Sequence, residues 1–81
     1  MKITIRLFAV LRERAGVSQL TLELPVGATV ATAKDAVLQG YPQLADVISR
    51  AAFAVNRSYS SASAELRNGD ELAFLPPVSG G

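Results

Sequence analysis

Eighty-one residues, 49% of them hydrophobic and 19% charged, suffice for one small soluble domain with a single core. With zero Cys and zero His the chain holds no thiolate nucleophile, imidazole acid–base group, disulfide or soft-ligand zinc site, and a net charge of +1 is too small for the phosphate-neutralising surface of a nucleic-acid binder. A domain of this size buries only about 60 to 65% of its unfolded surface, so apolar side chains left outside point to a partner rather than to a large catalytic cleft.

Ile3, Ile5 and Leu7 alternate with Lys2, Thr4 and Arg6, the period of a strand with one face on a core. The same alternation argues against a signal peptide or membrane span, and a cytoplasmic protein is expected. A helical turn is predicted within Ala9 to Ala15 and Gly16 lies in the connection that follows. Leu20, Leu22 and Leu24 then alternate with Gln19, Thr21 and Glu23 as a second strand, antiparallel to the first. Pro25-Val26-Gly27 ends it.

Thr29 is the expected N-cap of a helix carrying Val30, Ala33, Val37 and Leu38 at helical spacing, stopped by Gly40 and Pro42. Thr32 stands where a capping box would have Glu or Gln, so the box is expected to be incomplete. Leu44 to Ile48 suits another helical turn. Ala52 to Asn56 reads as a buried strand, Ser58 to Ser63 around Tyr59 as a loop or irregular edge strand, and Asn68-Gly69-Asp70 as a tight turn before a last strand, Glu71 to Leu75. Asp70 and Glu71 are both assigned to that turn. Asn56-Arg57-Ser58 matches a glycosylation pattern but, with no secretory signal, is set aside.

This order predicts an α+β fold, a mixed sheet with one main helix on one face, and it is the order of the β-grasp or ubiquitin-like fold. In that fold the first and last strands lie parallel in the centre. Residues 1–75 form the expected domain and 76–81 an extended tail. Pro76 and Pro77 lack ladder donors and favour polyproline geometry, so Pro76 to Gly81 would reach roughly 19 Å beyond the domain. Gly80 and Gly81 have no Cβ and suit a narrow channel. With no His or Cys, the carboxylate of Gly81 is the best remaining reactive group. ATP-dependent adenylation by a partner enzyme would turn it into an electrophile for sulfur.

Leu7-Phe8-Ala9-Val10-Leu11-Arg12-Glu13 and Asn68-Gly69-Asp70-Glu71-Leu72-Ala73-Phe74-Leu75-Pro76-Pro77-Val78-Ser79-Gly80-Gly81 resemble the molybdopterin synthase small-subunit family along the whole chain. The resemblance implies a sulfur carrier, not catalytic alone. Its Gly81 carboxylate would be adenylated by an enzyme similar to ubiquitin-activating enzymes and converted to a thiocarboxylate by a sulfur donor protein. The thiocarboxylate would pass sulfur to cyclic pyranopterin monophosphate, building the dithiolene of molybdopterin inside a large subunit, with two subunits of each kind in a heterotetramer. No metal or stably bound cofactor is implied; Gly80, Ser79, Val78, Pro77 and Pro76 form the inserted tail. The alternatives are a related carrier for thiazole synthesis or tRNA thiolation, or a ubiquitin-like modifier. The Phe8-to-Glu13 motif and the Pro-Pro tail favour the first reading.

Parity adds a docking surface. Phe8 lies out of phase with Ile3, Ile5 and Leu7, and Leu75 out of phase with Leu72, so both are expected on the opposite face with Tyr59 as an apolar patch for the large subunit. Arg12 is a candidate to guide docking or to pair with a carboxylate of the activating enzyme.

Overall fold

The alternation at the N-terminus builds β1 (Lys2–Leu7), and Ile3, Ile5 and Leu7 are buried as expected. The computed structural model describes residues 1–77; Val78, Ser79, Gly80 and Gly81 lie outside the described residues. β2 (Gln19–Glu23) pairs antiparallel with β1, placing Leu22 opposite Ile3 and Leu20 opposite Ile5. β3 (Ala52–Val55), β4 (Ser58–Ser60) and β5 (Glu71–Leu75) complete a five-stranded sheet ordered β2-β1-β5-β3-β4. β1 and β5 run parallel in the middle, with Ile5 opposite Leu72 and Leu7 opposite Phe74. The expected β-grasp topology is therefore present.

Four short helical segments supply the second layer. They are α1 (Val10–Ala15), α2 (Val30–Gly40), a 3-10 turn at Pro42–Leu44 and α3 (Ala45–Ile48). Leu11, Val30, Ala33, Val37, Leu44, Val47 and Ile48 pack into one cluster with the inward residues of β1 and β5. Burial of these side chains covers one sheet face and, among the described residues, leaves the other free of helix.

Several local expectations need correction. The capping box of α2 is complete: the Thr32 amide donates to Thr29 Oγ1 at 3.3 Å, and the Thr29 amide donates to Thr32 Oγ1 at 3.2 Å, so a Thr hydroxyl does the work of the Glu or Gln carboxyl or amide. Thr29→Ala is expected to lower unfolding free energy by about 1 kcal/mol, read from the denaturant midpoint. The third strand ends at Val55 rather than Asn56, and only Ala54 within it is buried, on the groove side rather than in the core cluster. Asn56 and Arg57 instead form the two-residue turn into β4 with φ of 49° and 70°. Asp70 does close its turn, accepting from the Arg67 amide at 2.8 Å across Gly69, whose φ is 90°. Glu71 does not belong to that turn. As the first residue of β5 it carries its side chain to the outer face of the sheet, where it meets Arg6.

Leu66, fully buried, is a core residue that periodicity does not find. It sits in an irregular segment held by the Leu66 amide donating to the Ala28 carbonyl at 2.8 Å, so its burial comes from long-range pairing.

Candidate docking groove

The strand register lines up one row of outward residues across four strands. Arg6 is opposite Ala73, Ala73 opposite Ala54, and Ala54 opposite Tyr59. Two alanines between an Arg and a Tyr leave a depression floored by methyl groups. It forms a groove of about 340 Å³, closed at one end by Phe8 and Leu75 and at the other by Glu71 and Arg57.

The apolar end is the one the parity argument anticipates. Phe8 follows β1 and is 37% exposed, Tyr59 is 81% exposed, and Leu75 is half-buried on the face opposite Leu72 and Phe74. All three line the same groove. Leu75 is also the last residue of β5, so Pro76 and Pro77 leave the domain from the groove's apolar rim. Arg12 is not brought there: it is an exposed residue of α1 and does not line the groove.

Three groove residues were missed by sequence reasoning. Arg6 was counted only as the polar half of an alternation, yet its guanidinium lies 5.7 Å from the Phe8 ring centroid and 3.5 Å from the Glu71 carboxylate. Parity alone would have placed Arg6 and Phe8 on one face. Glu71 was absorbed into the turn, and Arg57 was passed over because nothing in Asn56-Arg57 announces a hairpin. Among the described residues Arg57 makes no ion pair or side-chain hydrogen bond. No cluster of His, Cys, Asp or Glu able to hold a metal ion occurs among them, and no helix is long and apolar enough to cross a membrane.

The family model described as the ThiS family matches residues 5–81, nearly the whole chain. This chain belongs to the ThiS family. It is 41% identical to a molybdopterin synthase sulfur carrier subunit of Arabidopsis thaliana over 81 residues, covering 100% of this chain and 84% of that one. Among solved structures it resembles SAMP1, a small archaeal modifier protein, from Haloferax volcanii, with a TM-score of 0.91, 31% identity and 100% of both chains covered. A likeness of fold alone extends to a chain in a protein–protein complex of subunits 1 and 2 of molybdopterin-converting factor from Helicobacter pylori, with a TM-score of 0.74, 24% identity and full coverage of both chains. The resemblance drawn from the two terminal motifs of this ThiS-family chain is thus borne out over its full length.

Proposed function

We propose that this chain is the sulfur carrier subunit of a molybdopterin synthase, docking through the outer-face groove and delivering sulfur from the carboxylate of Gly81. One observation carries the reading: Leu75 both lines the groove and directly precedes the tail, so a partner seated on Phe8, Tyr59 and Leu75 receives the residues after Leu75 at the edge of the same contact. Pro76 and Pro77 stiffen the exit, and the two glycines fit a channel that a Cβ would block.

The chemistry proceeds in two exchanges. An adenylating partner similar to ubiquitin-activating enzymes directs the Gly81 carboxylate onto the α-phosphorus of ATP, releasing pyrophosphate. A persulfide on a donor protein then attacks the acyl carbon and displaces AMP, and a second thiol of the donor attacks the resulting acyl disulfide, releasing the thiocarboxylate as a donor disulfide forms. In the large subunit the thiocarboxylate sulfur bonds to a carbon of the pterin precursor as an oxygen leaving group departs from it, and hydrolysis of the acyl link returns the carboxylate and leaves the sulfur on the pterin. A dithiolene holds two sulfur atoms and each terminus carries one, so two charged chains are consumed per product.

The test is to incubate the chain with activating enzyme, ATP and a sulfur donor, weigh it, and add the large subunit with the pterin precursor. Replacement of one oxygen by sulfur at the C-terminus, followed by molybdopterin formation, is expected; a charged chain that yields no molybdopterin overturns the proposal. The likeness to SAMP1 favours a second reading, a modifier joined to lysine. Isopeptide-linked products under the same conditions would support it.

Phe8→Ala and Leu75→Ala are expected to weaken large-subunit binding by about 2 kcal/mol, the usual effect of truncating an interface anchor. Phe8, being exposed, should lose far less folding stability than binding. Affinity and denaturant midpoint measured on the same variants check both halves.

A further inference from the structure

The groove is polarised along the strands. Phe8 and Leu75 form its apolar end, while Glu71, four residues before Leu75 on β5, and Arg57 form its charged end, about 13 Å away at strand spacing. Two of the three charges there are engaged with each other, since Arg6 pairs with Glu71 at 3.5 Å and leans on the Phe8 ring. That leaves Arg57 to set the sign of the charged end.

The backbone of Arg57 is also held in place. Its φ of 70° lies in the left-handed region that glycine occupies most cheaply, in a two-residue hairpin turn where Gly is the usual second residue. The turn is tied to Glu71 of β5 and to the preceding Asp70 by three bonds from the neighbour of Arg57. The Asn56 amide donates to the Glu71 carbonyl at 2.8 Å, Asn56 Oδ1 accepts from the Glu71 amide at 3.0 Å, and Asn56 Nδ2 donates to Asp70 Oδ1 at 2.9 Å. The backbone that carries Arg57 is therefore fixed to the strand that forms the groove, and Tyr59 stands beside it on β4. A guanidinium carried on a fixed backbone, lining a partly apolar groove and without an internal carboxylate among the described residues, suits recognition of an external one.

We infer that Arg57 is a specificity residue of the docking groove, selecting a large-subunit segment that places a carboxylate at the charged end while its apolar side chains occupy the Phe8–Leu75 end. This rests on the docking reading proposed above. Segments with a cation at that point are rejected, because Arg6 and Arg57 outnumber Glu71. Arg12, in contrast, lies outside this surface and takes no part in the selection.

The experiment measures association and dissociation rates with the large subunit at low and high salt for the wild-type chain, Arg57→Gln, Arg57→Glu and Phe8→Ala, with denaturant midpoints as a folding control. Arg57→Gln is expected to slow association several-fold and flatten its salt dependence, and Arg57→Glu to weaken affinity by tenfold or more, both with wild-type midpoints. Wild-type rates and salt dependence in Arg57→Gln overturn the inference. If they accompany a weakened Phe8→Ala, only the role of Arg57 falls and docking at the groove stands. If the wild-type chain does not bind, or Phe8→Ala binds as wild type does, the docking reading fails and the inference with it. Wild-type binding that shows no salt dependence also overturns it, without reliance on any variant.

Discussion

Deleting Gly81 is expected to abolish sulfur transfer and leave the unfolding midpoint unchanged. In the proposed chemistry the terminal carboxylate is the electrophile after adenylation, and removing the residue moves that group one position back and presents the carboxylate of Gly80 instead. An extended tail advances about 3 Å per residue, whereas reacting atoms must approach within roughly 3 to 3.5 Å, so one residue suffices to lose the reaction. Folding is unaffected because the fully buried apolar cluster of the described residues runs from Ile3 to Phe74 and depends on nothing after β5. Mass analysis of the charged chain, molybdopterin yield and a denaturant titration read out all three effects. Normal molybdopterin formation by the truncated chain would exclude Gly81 as the carrier. A one-residue extension should be equally inactive until it is removed.

Phe74→Ala should have the largest effect on folding. Phe74 is fully buried in the central strand, faces Leu7 across the parallel pair, and meets the Phe53 ring edge-on with centroids 5.6 Å apart. Truncation removes the ring's transfer energy, leaves a cavity the sheet cannot close, and costs about 3 to 5 kcal/mol. Domains of this length have about 4 to 12 kcal/mol in total, so the variant is expected to be largely unfolded under mild denaturant. Phe74→Leu, which keeps most of the volume, should lose markedly less. Equal losses for Ala and Leu would show that ring geometry rather than cavity volume sets the effect.

The elements most legible in the sequence are those whose burial follows a local period. β1 and β2 declare themselves by alternation, and α2 by Val30, Ala33 and Val37. The apolar half of the groove was legible for a related reason, because Phe8 and Leu75 break the parity of their strands. What stayed hidden depends on pairing between distant segments. Leu66 has charged residues on both sides in sequence and is buried in the core cluster, where its amide donates to the distant Ala28 carbonyl. The charged half of the groove needs the β3–β4 register to bring Tyr59 and Arg57 beside β5, and the turn that sets this register lacks the glycine that would have announced it. Thr32 completes a capping box with a hydroxyl, a chemistry the usual sequence signature omits.

The position of β5 has a consequence for synthesis. The strand made last fills the middle of the sheet, and β1, made first, has no parallel neighbour until it arrives. A nascent or prematurely ended chain lacking Glu71 to Leu75 therefore has Leu7 and Val55 without their partners Phe74 and Leu72, and its two half-sheets are not joined. Such a chain cannot settle into a native body, and contacts between sequence-distant ends close slowly in any case. Any enzyme that grips the folded surface before acting on the terminus thus meets only products whose translation has passed the last strand. In the proposed chemistry, docking on the folded surface would therefore restrict adenylation to chains that contain the last strand.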